Sequence, residues 1–232
     1  MKRIPRLSVS EAAYSAVKQV LLTSKYSPGG RIDIDDLCRV LEVSRTPVFD
    51  ALNRLEAEGI VKIIPRKGTY LVSFSKEKAE ELYAVRETLE GMATKLAAKN
   101  LTERHVETLK KALERQSACL KDDDTEGYAS ATIKFHNTIA EAAGNKTLER
   151  LLGTVYAQME ALRLRTLYLP ERLKKSFAEH QRIFDALMKR DPALCEREAR
   201  NHIRTTTTDA LDIVAKNEKS KAVATDLVQT EP

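Results

Sequence analysis

From residue 76 onward, the apolar residues of the sequence have the periodicity of α-helices. Apolar residues recur there at spacings of three and four, which predicts amphipathic helices. Short turn signals such as Gly144-Asn145 and Asp191-Pro192 divide the stretch into six segments. These segments are 76–99, 102–121, 125–143, 146–168, 171–190 and 192–216. Helices with short connections pack antiparallel to their neighbours, so we predict an all-α bundle large enough to bury its own core.

The first 75 residues follow a different pattern, three short helices and then a β-hairpin. Asp35 is placed to cap the second helix and Ser44 the third, which ends at Gly59. The alternating stretches of the hairpin, on either side of the turn Pro65-Arg66-Lys67-Gly68, are residues 60–64 and 69–74. This order is typical of a winged helix-turn-helix, whose recognition helix enters the major groove of DNA. Short helix pairs also occur in domains that bind no DNA.

We therefore predict a mainly α-helical chain with two domains. Residues 1–75 form a winged helix-turn-helix DNA-binding domain with a small β-hairpin wing, and residues 76–216 form an antiparallel helical bundle. The low counts of Gly (8) and Pro (7), with only 5% aromatic residues, favour helices over a large sheet. Residues 217–232 lose the apolar periodicity, so we expect a disordered tail there.

The net charge of +5 is concentrated in the first domain. Residues 1–75 hold 12 Lys and Arg against 8 Asp and Glu, whereas the rest of the chain holds 27 against 26. A basic excess in a small domain is common in proteins that bind nucleic acid, because each neutralised phosphate releases counterions. The same excess also serves solubility, so it supports DNA binding without establishing it.

The sequence also bears on where the protein acts. No apolar run reaches the roughly 18 residues of a membrane helix, and the N-terminus lacks the apolar core of a signal peptide. The three cysteines, Cys38, Cys119 and Cys195, are far apart and form no CxxC metal motif. We expect a cytoplasmic protein that does not associate with membranes.

Two parts of the chain resemble a known family. Residues 44–59 read Ser-Arg-Thr-Pro-Val-Phe-Asp-Ala-Leu-Asn-Arg-Leu-Glu-Ala-Glu-Gly, with Pro28-Gly29 upstream and the turn at 65–69 downstream. This part resembles the winged-helix domain of the GntR family of bacterial transcription regulators. The helical remainder resembles the FCD-type effector domain of the FadR subfamily. The residues that carry this second resemblance are Arg86, Glu90, Phe135, His136, Gly144, Asn145, Glu179, His180, His202 and Ile203.

The resemblance implies a homodimer that binds a palindromic double-stranded DNA operator and responds to a small carboxylate. It places the DNA contacts at the start of the recognition helix and in the wing. An arginine at the helix start can bind O6 and N7 of guanine, and a glycine in the wing lets the backbone approach the groove. The contact residues implied in this way are Arg45, Thr46, Arg66, Lys67 and Gly68.

Two positions on the expected DNA face depart from the family pattern. Asp35 stands where a basic residue is frequent, and Phe49 replaces the usual arginine. Phe49 either contacts a thymine methyl group or packs beneath the wing. Further along the recognition helix, Arg54 is either a phosphate contact or a solvated charge.

Three of the four histidines lie among apolar residues at helical spacing, namely His136, His180 and His202. A single inward histidine is usually a core residue, but three on separate helices suggest a shared metal site. The FCD resemblance implies an aspartate ligand four residues before the first of them, and here that position is Thr132. We predict that the histidines bind a divalent ion, Zn²⁺ or Ni²⁺, more weakly or only when a carboxylate effector completes the coordination.

The effector also requires a cation in the bundle. Arg86 either pairs internally with Glu90, four residues further on, or binds the effector carboxylate as the family implies. Thr132, Arg163 and Asn201 are further candidates for effector contacts.

Our interpretation is a ligand-responsive transcription regulator, a repressor, and not an enzyme. The alternative is a metabolite-binding or metal-dependent catalytic bundle whose DNA binding has weakened. Three histidines with open positions also occur in catalytic zinc sites. The sequence has no HExxH motif and no nucleophile elbow, which argues against catalysis.

Overall fold

The computed structural model describes residues 9–23, 26, 28–167, 169 and 171–228. The chain is divided into two compact units. One is Ser75–Val214, and the other is Met1–Phe74 together with Ala215–Pro232. None of the helices in the described ranges combines the length and the apolar character that a bilayer span requires.

The first unit is a winged helix-turn-helix, which confirms the predicted fold. Its elements are α1 (Val9–Thr23), α2 (Ile34–Leu41), α3 (Arg45–Ala57), β1 (Val61–Ile64) and β2 (Gly68–Leu71). The two strands pair antiparallel and form the wing. Apolar side chains at helical spacing on α1 and α3 are buried between these helices, which fixes the recognition helix α3 on its support.

The cap of α2 differs from the prediction. Asp33, and not Asp35, is the N-cap, because it has the extended backbone from which a carboxylate can reach the helix start. Its Oδ1 accepts hydrogen bonds of 3.0 Å from the backbone N–H groups of Asp35 and Asp36. Asp35 therefore lies in the first helical turn, where its side chain is available for another contact. Ser44 precedes α3 in an extended conformation, but its side chain makes no capping hydrogen bond.

The second unit is all helical, as predicted, but it contains one helix more than the sequence pattern indicates. Among the described residues its helices are α4 (Lys76–Asn100), α5 (Glu103–Lys121), α6 (Thr125–Ala142), α7 (Lys146–Gln158), α8 (Glu160–Leu167), α9 (Arg172–Met188) and the part of α10 (Pro192–Val228) that ends at Val214. The predicted helix 146–168 breaks at Met159, whose side chain is fully buried. Methionine is a good helix former, so tertiary packing and not local sequence produces this break.

The core of this unit holds the helices that carry the site residues. Phe135 and Ile139 of α6 pack against Ile183 and Leu187 of α9, in a buried cluster that also includes Leu109 of α5. Burying side chains of this size contributes about 1.5–3 kcal/mol each to the free energy of unfolding. The facing positions of α5, α6 and α9 are therefore well determined.

The end of the chain contradicts the predicted tail. Helix α10 continues to Val228, past residue 216, where the apolar periodicity stops. Half of residues 217–228 are Ala, Lys, Glu or Leu, residue types that favour helix without any apolar stripe. Periodicity reports which face is buried, so it gives no signal for a helix that intrinsic propensity sustains.

Candidate effector site and DNA-binding surface

Three histidines meet inside the bundle. His136 on α6, His180 on α9 and His202 on α10 are all buried, with no more than 3% of any of them exposed. One ring nitrogen from each lies within 4.8 Å of those from the other two. The structure thus brings together the three residues that the sequence predicts as metal ligands.

Each histidine has an acceptor at Nδ1, which orients its ring. The pairs are His136 with Glu90 Oε2 at 2.8 Å, His202 with Glu179 Oε2 at 2.7 Å and His180 with Gln116 Oε1 at 2.9 Å. An acceptor at Nδ1 places the proton there and leaves the Nε2 lone pair available. Metal-binding imidazoles are usually held in this way by carboxylates or carbonyl oxygens behind them.

Burial also sets the charge of the site. It lowers the pKa of His136, and it lowers the pKa values of His180 and His202 well below the ordinary value. Burial opposes ionisation of Glu90, but His136 and Arg86 outweigh it and hold the pKa of that carboxyl well below its usual range. The site therefore presents neutral imidazoles beside an anionic carboxylate, which is the protonation state that binds a cation.

On α6, two buried atoms at this site lack a hydrogen-bond partner among the described residues, His136 Nε2 and Thr132 Oγ1. They lie one helical turn apart on α6, and an unsatisfied buried polar atom is costly. A divalent cation fits this arrangement, since the lone pair on Nε2 is the one that would coordinate a metal. The hydroxyl of Thr132 adds no charge to such a site.

A pocket rich in arginine borders the histidines. Arg86, Arg163 and Arg172 line it together with Thr132, His136 and His202. Each arginine is buried and lies beside a carboxylate. The pairs are Arg86 Nε with Glu90 Oε1 at 2.7 Å, Arg163 Nη1 with Glu160 Oε2 at 3.4 Å and Arg172 Nη2 with Glu179 Oε2 at 2.8 Å. Because Arg86 pairs with Glu90 and also lines the pocket, its two predicted roles do not exclude each other.

The predicted effector residue Asn201 lies outside this pocket. Its side chain is exposed, whereas His202, the next residue along α10, is buried. Neighbouring residues on a helix point about 100° apart, so an inward His202 turns Asn201 outward. Asn201 therefore does not line this pocket, whereas Thr132 and Arg163 do.

The sequence did not predict the contacts by which Gln116 and Glu179 hold His180 and His202 in place. Gln116 is fully buried on α5 at helical spacing from Leu109 and Cys119, so a polar residue within an apolar stripe was an available signal. Glu179 contacts His202 and Arg172, although in sequence it adjoins His180. No spacing rule indicates those contacts, because they join α9 to α10 and to its own first turn.

The predicted DNA-contact residues at the start of α3 lie on the surface of the first unit. Arg45 and Thr46 are exposed, and Phe49 is 44% exposed. Arg45 and Phe49 border one cleft together with Gly68 and Thr69 of the wing. Phe49 is therefore not buried beneath the wing, and its ring is accessible to a bound molecule.

Two arginines of α3 pair with carboxylates. Arg45 donates from Nε to Asp35 Oδ1 at 2.9 Å and from Nη2 to Asp35 Oδ2 at 2.8 Å. Arg54 pairs with Glu11 of α1 at 3.1 Å, and its guanidinium lies 3.8 Å from the ring centroid of Tyr14. Arg54 is thus held against α1 and does not extend freely into solvent.

The turn of the wing exposes Arg66 and Lys67, in line with their predicted role. Gly68 has a φ of +126°, which side chains rarely adopt, and an added Cβ would lie 2.8 Å from Nε of Arg31. The sequence suggests that this glycine lets the backbone approach DNA, and the structure adds an internal reason for it. The wing conformation and its contact with Arg31 both require glycine at this position.

Each of the two units matches a known protein family. The profile described as bacterial regulatory proteins, gntR family, matches residues 9–71, and the FCD domain profile matches residues 81–205. An HTH-type transcriptional regulator of Agrobacterium vitis is 35% identical over 57% of this chain and 79% of its own length. The HTH-type transcriptional regulator YdhC of Bacillus subtilis is 27% identical over 82% of this chain and 85% of its own.

Solved structures show the same fold. McbR/YncC of E. coli superposes with a TM-score of 0.58 at 23% identity, covering 92% of this chain and 100% of its own. Lar of Listeria monocytogenes superposes with a TM-score of 0.55 at 19% identity, covering 90% of this chain and 98% of its own.

The curated relatives are named as transcription regulators and not as enzymes, so the catalytic alternative has no support from them. The FCD profile alone spans more than half of the chain, and the gntR profile precedes it in the expected order. This chain belongs to the GntR family of bacterial regulatory proteins and is a DNA-binding transcription regulator whose C-terminal unit is an FCD domain.

Proposed function

We propose that this regulator senses a small carboxylate metabolite through a divalent metal ion, Zn²⁺ or Ni²⁺, bound by His136, His180 and His202. The observation that carries the proposal is the convergence of three buried, neutral imidazoles. Imidazole nitrogen is a preferred protein ligand of both ions, and the acceptors at each Nδ1 provide the outer hydrogen bonds that such ligands require.

The residues of this chain would leave the metal incompletely coordinated. Three nitrogens occupy three of the four positions that zinc usually takes, and Thr132 offers only a hydroxyl nearby. A neutral ligand set leaves the cation without a charged ligand, and an anionic effector supplies one whereas water does not. We infer that metal and effector strengthen each other's binding, which is a reciprocal coupling.

The arginine side of the pocket would bind the rest of the effector. Arg86 uses Nε toward Glu90, so its terminal amino groups retain donor capacity for a carboxylate. Arg163 borders the same pocket from α8. A small molecule with one carboxylate at the metal and a second acceptor at these guanidinium groups fits this distribution of charge.

The effector would influence DNA binding through α4. Arg86 and Glu90 lie on this helix, which begins at Lys76, directly after the winged unit ends at Phe74. Binding in the pocket would shift the population between two packings of the bundle and so change the spacing of the two recognition helices in a homodimer. A palindromic operator is bound tightly only when that spacing matches its half-sites.

A homodimer has a suitable surface on α4 and α7. Val85 and Met92 on α4 and Leu151 on α7 are 48%, 45% and 47% exposed, which is high for large apolar residues. In a two-fold dimer each surface meets its own copy, and exposed apolar side chains are complementary to their own kind. We therefore propose that the dimer interface includes these three side chains.

We also infer that the protein is cytoplasmic, since it must reach the chromosome. We further infer that it is a repressor, on the basis of two relatives. A "Probable D-xylose utilization operon transcriptional repressor" of Paenarthrobacter nicotinovorans is 26% identical over 87% of this chain. The transcriptional repressor RspR of Escherichia coli is 24% identical over 92%. In such a repressor the effector lowers operator affinity and so permits transcription.

Elemental analysis of untagged protein tests the metal, and operator-binding assays with a panel of hydroxy acids and dicarboxylates test the effector. We expect about one metal ion per chain and loss of operator affinity with one class of acid. Neither should occur in a His180→Ala variant that still binds the operator. If the protein contains no metal under any condition and yet responds to an acid, the metal part of the proposal is wrong.

A further inference from the structure

Asp35 and Arg45 form a forked ion pair across the turn between α2 and α3. Both oxygens of the carboxylate are used, by Nε at 2.9 Å and by Nη2 at 2.8 Å. The two side chains are 68% and 67% exposed, so the pair lies on the surface. Exposed ion pairs contribute little to stability, which leaves the orientation of the guanidinium as the main consequence of this one.

The fork leaves a defined part of the guanidinium available. Arginine has five N–H donors, and Asp35 engages Nε and one side of Nη2. The outer edge, formed by Nη1 and the second hydrogen of Nη2, has the parallel pair of donors that matches O6 and N7 of guanine. A long side chain held in this way has also lost part of the rotamer freedom that binding would otherwise cost.

The location of the pair agrees with a role in operator recognition. Asp35 and Arg45 border the cleft that Phe49 and the wing residue Gly68 also line. The neighbouring Asp36 is turned elsewhere, since it pairs with Arg39 and accepts a hydrogen bond from Tyr26. Of these two acids, Asp35 is the one directed to the recognition helix.

We propose that Asp35 is a positioning residue for DNA recognition, which fixes the Arg45 guanidinium so that its free edge reads one guanine of the operator. The proposal rests on operator binding by the winged unit. A carboxylate near the phosphates lowers general attraction to DNA, so this device lowers non-specific affinity and raises discrimination between bases.

The test begins with selection of bound duplexes from a random pool by the unsubstituted protein and by Arg45→Ala. The base pair whose preference disappears in Arg45→Ala is the one that Arg45 reads. Asp35→Asn should then reduce discrimination at that base pair by about 10-fold, while affinity for unrelated DNA stays equal or rises. Asp50→Asn is the matched control, because it removes the same charge from α3 and leaves the fork intact.

A double-mutant cycle separates positioning from simple repulsion. With Arg45→Ala already present, Asp35→Asn should no longer change discrimination. If Asp35→Asn strengthens binding to every sequence alike and keeps the base preference, Asp35 only repels DNA and the proposal is wrong. Selection by the unsubstituted protein tests operator recognition itself. If it enriches no sequence, both operator recognition by the winged unit and the positioning role of Asp35 are wrong. Melting temperatures of all variants verify that they fold.

Discussion

The carboxylate of Glu90 lies 2.8 Å from Nδ1 of His136. Its other oxygen lies 2.7 Å from Nε of Arg86, so one buried carboxylate holds both a candidate metal ligand and a candidate effector contact. Glu90 lies on α4 and His136 on α6, and the contact therefore couples two helices at the site. Any ligand that moves one of these groups changes the hydrogen bonding of the other.

Glu90→Gln should weaken metal binding by about 10- to 100-fold. Glutamine has nearly the same shape, but a neutral amide is a weaker acceptor for His136 and leaves Arg86 without its buried counter-charge. Competition against a chromophoric chelator measures the affinity. Glu87→Gln is the matched control, since it removes the same charge one turn earlier, where Glu87 pairs with Arg204 at 2.9 Å. Equal losses in the two variants would indicate an effect of net charge alone.

Thr132→Asp should tighten metal binding and make it less dependent on the effector. An aspartate there would add a charged ligand at the position where Thr132 Oγ1 lacks a partner among the described residues. Thr132→Ala is the control and should bind metal about as well as the unsubstituted protein, because the hydroxyl contributes little. Calorimetric titration with and without the acid measures both affinities. An Asp variant with unchanged affinity would place the cation elsewhere.

The metal-free protein should lose stability as the pH falls below about 6.5. Burial holds the pKa values of the three clustered histidines below those of the unfolded chain. The unfolded state therefore binds more protons in this range, and the free energy of unfolding decreases with falling pH. Each histidine contributes up to about 1.4 kcal/mol per pH unit. Urea midpoints measure the slope, which should be shallower in His180→Gln; an unchanged slope contradicts the assignment.

The features that were predicted correctly from the sequence depend on residues that lie close together in the chain. The recognition helix from Arg45 follows from its local apolar spacing, and the wing turn at Gly68 follows from its turn residues. The inward direction of His136 and His202 follows from their spacing to apolar neighbours on the same helix.

The features that the sequence did not predict depend on contacts between distant segments. The bond of Glu179 to His202 joins two helices, and the fork of Asp35 with Arg45 joins α2 to α3. The break at Met159 depends on burial of a residue whose type favours helix. Periodicity indicates that a residue points inward, but it does not indicate which partner the residue meets there.

Met92→Glu should convert the proposed homodimer into monomers at micromolar concentration. A buried charge placed against its own copy in a two-fold interface has no counter-ion, which is strongly unfavourable. Sedimentation equilibrium measures the state of association. Met188→Glu is the control, because Met188 is likewise exposed, at 40%, but lies on α9 and not on α4 or α7. If Met188→Glu dissociates the dimer and Met92→Glu does not, the interface involves α9 and the proposed one is wrong.

Gly68→Ala should destabilise the winged unit by about 1–2 kcal/mol. An alanine at a φ of +126° is strained, and its Cβ would lie 2.8 Å from Nε of Arg31. Gly153→Ala makes the same chemical change on α7, where an added Cβ meets nothing within 4 Å. It should stabilise that helix by about 0.5–1 kcal/mol, because alanine loses less backbone entropy. Denaturant unfolding and operator binding should separate the two variants, since only Gly68→Ala displaces the wing. Equal operator affinity in both would mean that the wing conformation does not matter for DNA binding.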